Sequence, residues 1–216
     1  MKLNRPYILV LAGVNGAGKS SVLGDILSAD KIEFFNPDTF TKALMSAQGI
    51  ELEEANSEAW KFGVGLLKKA VKDKINYAFE TTLGGNTVTD LLIQASKTHD
   101  IDILYCGLNT VEMHIERVKF RVKHGGHSIP ENKIRERWIN SKLNLVKLLK
   151  VVTNLRVYDN SFTGQVGEKL PDPLLVLSLV NGALEFPNYL DSEEMKLTPE
   201  WAKPIVITAV EQAENN

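Results

Sequence analysis

The chain has 216 residues, of which 44% are hydrophobic and 24% charged, and a net charge of −2. That is enough for one well-buried core and small for two, since domains usually run to about 100 to 200 residues. The near-neutral balance argues against a protein built mainly to coat nucleic acid, and Cys106, the single cysteine, excludes an internal disulfide and reads as a buried, inert thiol suited to a reducing, cytoplasmic compartment.

The first predicted element is a core strand over Tyr7–Ala12, an apolar run too short for a signal peptide or a membrane span. It leads into Gly13-Val-Asn-Gly-Ala-Gly-Lys-Ser20, which matches the phosphate-binding pattern G-x-x-x-x-G-K-[ST]. The glycines let successive backbone N–H groups face one anion, and a helix starting at this point adds roughly half a positive charge at its N-terminus. Ser21, Val22, Leu23, Ile26 and Leu27 are predicted to continue that helix. The predicted ATP-binding set is Gly13, Asn15, Gly16, Ala17, Gly18, Lys19, Ser20 and Ser21, with Lys19 reaching the β/γ-phosphates and Ser20 offering its hydroxyl to Mg²⁺.

Ile32 to Phe35 reads as a short second strand that ends at Asn36-Pro37-Asp38, with a helix from Thr39 to Ala47 beyond it. A longer helix from about Glu53 to Asn76 carries Trp60, Val64, Leu67, Val71 and Ile75 as an apolar stripe. The third strand is Tyr77 to Thr82. After the break at Gly84-Gly85 come a helix over Asn86–Lys97 and a fourth strand over Ile101–Leu108. Thr110 to Lys123 is helical up to His124-Gly125-Gly126-His127, Pro130 opens a helix running to about Val151, and Leu155 to Tyr158 forms a fifth strand before Asp159-Asn160-Ser161. Leu174–Val180 and Ala183–Phe186 flank Asn181-Gly182, the signature of a hairpin with a type I′ turn.

Strands alternating with helices imply an α/β fold whose mainly parallel, five-stranded sheet is covered on both faces. The expected organisation is one domain over 1–186 with a helical lid over about 114–138 and the C-terminal hairpin. From Pro187 to residue 216 the chain reads as a surface arm without a core of its own.

In such sheets ligands bind at the carboxyl ends of the strands, which gathers the glycine loop, Asp38, Glu80 and Thr82 at one crevice. Asp38 is the candidate general base for an attacking hydroxyl; the competing use of the same residue is to cap the helix that follows. Glu80 closes an apolar strand, so its carboxylate must be paired, bound to Mg²⁺ through water, or turned to ligand hydroxyls, and with Thr82 it is assigned to the acceptor over a buried pair with a lysine. From His114 to Lys150 the sequence holds ten Lys/Arg against three Glu. Most of these lysines read as a solvated face, but the arginines flanking Gly125-Gly126 suit a lid that folds over a triphosphate, and Arg121 and Arg137 are the candidate catalytic pair. His124 and His127 lack a third ligand nearby and read as a lid turn or a phosphate contact rather than a zinc site.

The glycine loop with Gly-Lys-Ser-Ser, Asn36-Pro37-Asp38, Phe79-Glu80-Thr81-Thr82 and the segment Arg117-Val-Lys-Phe-Arg-Val-Lys-His-Gly-Gly-His-Ser-Ile-Pro130 together resemble the zeta-toxin family of P-loop kinases, in its free-standing bacterial branch. The resemblance spans about Ile8 to Ser161. It implies a three-layer P-loop kinase fold and ATP with Mg²⁺ as cofactors. On the site residues it implies Lys19 and Ser20 on the nucleotide, Asp38 as base, Glu80 and Thr82 on the substrate, and lid arginines on phosphates. Toxins of the family phosphorylate the 3′-hydroxyl of UDP-N-acetylglucosamine, so a UDP-N-acetyl sugar is a candidate acceptor and an antitoxin protein a candidate partner. The expected function is ATP-dependent phosphoryl transfer to a small-molecule hydroxyl, with no membrane and no nucleic acid involved. A polynucleotide-end kinase, in which the basic lid tracks a backbone, and a non-catalytic nucleotide switch are the competing readings.

Overall fold

A computed structural model of the chain describes residues 5–20, 32–162, 172–188 and 192–215. Ile8, Val10 and Ala12 of strand β1 (Tyr7–Ala12) join one apolar cluster and Leu9 and Leu11 join another. This period of two places β1 in the middle of a sheet buried on both faces. β1 pairs in parallel with β2 (Tyr77–Thr81) on one side and β3 (Asp100–Gly107) on the other, setting Ile8 opposite both Tyr77 and Ile101. β4 (Asn154–Asp159) adds in parallel to β3, and the hairpin of β5 (Leu174–Val180) and β6 (Ala183–Phe186) adds antiparallel to β4. The order is β2-β1-β3-β4-β5-β6.

Seven helices lie among the described residues: α1 (Pro37–Gln48), α2 (Leu52–Asp73), α3 (Asn86–Ala95), α4 (Val111–Lys123), α5 (Glu131–Leu148), α6 (Glu193–Leu197) and α7 (Lys203–Glu214). Leu67 of α2, Leu92 of α3, Leu145 and Leu148 of α5 and Val206 of α7 share one core with Ile8, Val10, Ile101, Ile103, Leu155 and Val157 of the sheet. Each such side chain contributes about 1.5–3 kcal/mol through burial. On the opposite face Leu9, Leu11, Ala78 and Cys106 pack with Ala17 and the half-buried Ile32 and Phe34. None of the described helices is long and apolar enough to cross a membrane.

Three sequence expectations need correction. Ile32 to Phe35 is not a strand of the sheet: only Phe35 makes a bridge, to Phe79, with Phe35 N–H donating to Ala78 O and Glu80 N–H donating to Phe35 O. Pro37 begins a helix two residues later, so the ladder has no room to extend beyond one rung. The hairpin belongs to the sheet, so the four remaining parallel strands and its own two make six instead of the expected five; its turn has Asn181 at φ 52° and Gly182 at φ 75°, the two positive values that a type I′ turn demands. The C-terminal segment is not a surface arm along its described length. Trp201, Ala202, Ile205, Val206, Ala209 and Val210 are buried in the main core. Trp201 Nε1 donates to Asp159 Oδ1 at 2.8 Å, and its ring lies against Gly107, where a Cβ would meet it at 2.3 Å. The predicted helix from Ser21 to Leu27 lies outside the described residues.

Candidate functional site

Strand β1 ends at the glycine loop, which folds tightly onto the end of β3. Gly13 has φ +139°, and a Cβ there would fall 2.1 Å from Cys106 O, so only glycine lets the loop approach the sheet so closely. The loop's own carbonyls are then braced from outside. Asn160 Nδ2 donates to Ala17 O at 2.9 Å and the Cys106 thiol donates to the same oxygen at 3.1 Å. Burial pushes that thiol's pKa up to about 12, so Cys106 is a fixed donor behind the loop and not a nucleophile.

His114, on α4, also braces the loop. It is 1% exposed and its Nδ1 lies 2.9 Å from Asn15 O, a geometry that requires the proton on Nδ1. Burial pushes its pKa down from 6.5 to about 4, opposed by the hydrogen bond to Asn15. The folded chain therefore refuses a proton that the unfolded chain accepts near pH 6.5. Stability from this site is complete above that value and is lost as pH falls toward 4, by on the order of 3 kcal/mol. Denaturant unfolding between pH 7 and 4 should show the loss, and His114→Asn, which keeps a donor for Asn15 O without a titrating ring, should flatten it.

Lys19 and Ser20 point to the end of β2. Lys19 is 6% exposed, its Nζ lies 3.4 Å from Val14 O and 3.4 Å from Glu80 Oε1, and Ser20 Oγ donates to Glu80 Oε2 at 2.9 Å. Asn36 Nδ2 donates to the same oxygen at 3.0 Å. The carboxylate that the sequence assigned to the acceptor thus sits against the glycine loop, in the lysine pair that was its competing use. A serine hydroxyl and a carboxylate oxygen side by side are hard oxygen donors, and they fit Mg²⁺, which usually takes only one or two protein oxygens beside water and phosphate oxygens.

Asp38 stands across the cleft. The helix cap is Asn36 and not Asp38: Asn36 Oδ1 accepts from the N–H groups of Asp38 and Thr39 at 2.9 and 3.2 Å, with Pro37 at the first helical position. This leaves the Asp38 carboxylate free for other work. It is 39% exposed, with Arg121 Nη1 at 3.4 Å from Oδ2 and His127 Nε2 at 3.6 Å from Oδ1. Arg121 Nε and Nη2 are buried and have no partner among the described residues. Gly126 lets the turn close over this arginine, since a Cβ there would meet Arg121 Cγ at 2.7 Å.

The arginines of α4 and α5 divide by their contacts. Arg121 faces Asp38. Arg137, on α5, donates from Nη1 to Asn15 Oδ1 at 2.8 Å, and burial lowers its pKa from the ordinary value, against the raising influence of Asp38 and Glu136. A desolvated guanidinium in such a position would be stabilised by a bound anion. Arg117 Nη2 is bound to Asn160 O and Phe162 O at 2.8 and 3.1 Å, which makes it a strut between α4 and the loop after β4. His124 is turned to Phe120 O at 2.9 Å and away from this group.

Thr82 lines the cleft from a strained turn. Leu83 has φ 53°, unusual for a branched side chain, and Asn144 Nδ2 holds its carbonyl at 2.9 Å. Lys19, Ser20, Glu80, Thr82, Asp38, Arg121, His127 and Arg137 open onto one cleft of about 570 Å³, which also takes in Trp60, Thr41 and Asn56. Sequence reasoning missed Asn36, His114, Asn160 and Asn56 and placed Trp60 on an apolar stripe without saying what it faces. Only Asn36 carried a local signal, as an asparagine before proline at a helix start. Ser21 lies outside the described residues.

A protein-family model described as Zeta toxin matches residues 1–165. The chain belongs to the zeta-toxin family. An uncharacterized protein of Haemophilus influenzae (strain ATCC 51907 / DSM 11121 / KW20 / Rd) is 30% identical to this family member over 127 residues, which are 58% of this chain and 88% of that protein. Among solved structures, the AvrRxo1-ORF1:AvrRxo1-ORF2 complex with sulphate ions contains a chain that matches with a TM-score of 0.61 at 18% identity, covering 89% of this chain and 62% of its own. The AvrRxo1-ORF1:-ORF2 complex with ATP matches with the same score and identity, over 90% of this chain and 63% of its own. This zeta-toxin family member therefore spans a little under two thirds of the AvrRxo1 chains, and at such identity the likeness is one of fold.

Proposed function

We propose that this zeta-toxin family member is an ATP-dependent phosphotransferase that moves the γ-phosphate to a hydroxyl of a small molecule. The observation that carries the reading is the meeting, in one cleft, of a glycine loop with its lysine and a carboxylate, Asp38, that caps no helix and rests loosely on Arg121. Family membership supports it, and AvrRxo1-ORF1 has been solved with ATP.

In this reading the loop amides and Lys19 hold the β/γ-phosphates, with Arg137 beside Asn15 to meet a phosphate oxygen. Ser20 and Glu80 would hold Mg²⁺, which when bound screens the charge between the β- and γ-oxygens. Asp38 accepts the proton of the acceptor hydroxyl. The acceptor oxygen bonds to the γ-phosphorus as the bond from phosphorus to the β–γ bridging oxygen breaks, and ADP leaves with that electron pair. Arg121 leaves Asp38 for the transferring group, where its unpartnered Nε and Nη2 find phosphate oxygens. Thr82 contributes a hydroxyl at the acceptor side.

A UDP-N-acetyl sugar is the first acceptor to try, on the family resemblance. Incubation of the protein with Mg·ATP and a panel of nucleotide sugars and simple sugars, followed by phosphorus NMR, tests the reading. A new phosphate monoester resonance supports it; ADP and inorganic phosphate alone, for every acceptor, contradict it. A protein partner of antitoxin type belongs to the same proposal, supported by the occurrence of AvrRxo1-ORF1 in complex with AvrRxo1-ORF2.

A further inference from the structure

Asp38 is met at both carboxylate oxygens from one short segment of chain. Arg121 Nη1 lies 3.4 Å from Oδ2 and His127 Nε2 lies 3.6 Å from Oδ1, and the two residues flank the break at Gly125-Gly126. The N–H groups of His124 and Gly126 both donate to Arg121 O, at 3.1 and 3.0 Å, and Gly125 N–H donates to Val122 O at 3.1 Å, so the chain doubles back over the end of α4. That reversal needs both glycines: Gly125 has φ +88°, and a Cβ on Gly126 would fall 2.9 Å from Arg121 O.

The two contacts differ in how firmly they are based. The Arg121 side chain is 38% exposed and reaches Asp38 on a long, flexible stem, whereas His127 is 15% exposed. Two residues beyond His127, Ile129 packs with Val14, Ile115, Val118 and Ile134, and Pro130 leads into α5, so the chain on that side is tied to an apolar cluster. His124, the other histidine of the segment, faces Phe120 O and lays its ring against that of Phe120, with centroids 4.3 Å apart.

Resting on the phosphotransferase reading above, we infer that His127 is the residue that positions the base. When Arg121 leaves for the transferring group, Oδ2 is vacated and takes the acceptor's proton, while Oδ1 closes onto the Nε2–H of His127. A neutral imidazole carrying its proton on Nε2 is enough. It holds Oδ1 by a hydrogen bond and, bearing no charge, depresses the basicity of Oδ2 less than a guanidinium does. Without that donor a carboxylate 39% exposed would turn about its own side-chain bonds, and a displacement of about 1 Å at a reacting group costs about 10²-fold in rate.

Kinetics of transfer to a working acceptor read this in His127→Ala, His127→Gln and His127→Asn, and in His127→Ala combined with Asp38→Asn. The expected result for His127→Ala is a loss of about 10- to 100-fold in kcat with KM for ATP within a few-fold of the wild type. His127→Gln, whose amide nitrogen stands near the place of Nε2, recovers most of the loss; His127→Asn, whose shorter amide stands nearer Nδ1, does not. In the Asp38→Asn background His127→Ala costs less than about twofold more, because a residue acting through Asp38 has nothing left to position. A readout that needs no acceptor is the ¹⁵N spectrum of the histidine rings at about pH 8, above the ordinary histidine range, with magnesium and a non-hydrolysable ATP analogue bound. His127→Gln identifies the His127 signal by its loss, and the Nε2–H tautomer is expected. An unchanged kcat in His127→Ala, an equal loss in the Asp38→Asn background, no recovery with Gln, or an Nδ1–H tautomer would overturn the inference. Transfer to no acceptor by the wild type would sink the phosphotransferase reading, and the tautomer then decides the contact between His127 and Asp38 alone.

Discussion

Asp38→Asn is expected to cut phosphoryl transfer by about 100-fold or more while leaving ATP affinity within a few-fold of the wild type. The reason lies in the geometry around the carboxylate. Asn36 performs the capping of α1, so the substitution removes no helix cap. The ion-pair partners of Asp38 are Arg121 and His127, both outside the glycine loop, so the substitution is expected to leave the shape of that loop unchanged. An amide of the same size cannot take a proton from an attacking hydroxyl. The measurements that check this are single-turnover transfer with a working acceptor and calorimetric ATP binding on the same preparation. Loss of both together would mean that Asp38 serves the fold or the nucleotide, and retention of transfer would remove it as the base.

Arg121→Ala is expected to have the larger effect on rate, about 10³ to 10⁵ in kcat with little change in the affinity for ATP. Two of this guanidinium's nitrogens are buried and have no partner among the described residues, an arrangement that costs stability unless an anion completes it. Its third nitrogen rests on Asp38 at 3.4 Å, a loose contact that a phosphate oxygen can outcompete. Arg121→Lys separates charge from shape: a lysine restores some of the Coulombic attraction but not the planar fork, so partial recovery of rate is the expected outcome. A variant that binds ATP weakly but turns it over at normal kcat would assign Arg121 to ground-state binding instead. Rate assays at saturating ATP, with KM determined alongside, distinguish the two.

The parts of the molecule that the sequence made legible are those whose physics is local. Apolar residues running into three spaced glycines specify a strand and a tight glycine loop within fourteen residues, Tyr7 to Ser20. Asn181-Gly182 likewise fixes its own turn, because the requirement for positive φ is met or not met by two residues alone. Where the outcome depends on a distant partner, sequence reasoning reached only the alternatives. Glu80 had to be paired or ligated, but that its partner is Lys19, sixty-one residues earlier, is set by the parallel pairing of β1 with β2. The stripe on α2 could be seen to share a face, yet periodicity says nothing about what the face meets: Leu67 meets the core and Trp60 meets the cleft. Trp201 and α7 looked like a tail because their anchors, Gly107 and Asp159, lie on β3 and β4 far upstream. Ile32 to Phe35 has the composition of a strand and makes a single bridge, since composition does not count the rungs available before Pro37.

The measurement closest to the central claim is the distance from the Asp38 carboxylate to the γ-phosphorus in a crystal structure of the protein with magnesium and a non-hydrolysable ATP analogue. The expected structure has the γ-phosphate on Lys19 with Arg121 moved onto it, and a gap to Asp38 wide enough for one hydroxyl, with about 3 Å on either side of the oxygen. A γ-phosphate turned away from Asp38, with Arg121 still resting on the carboxylate and no room for an acceptor between them, would contradict it.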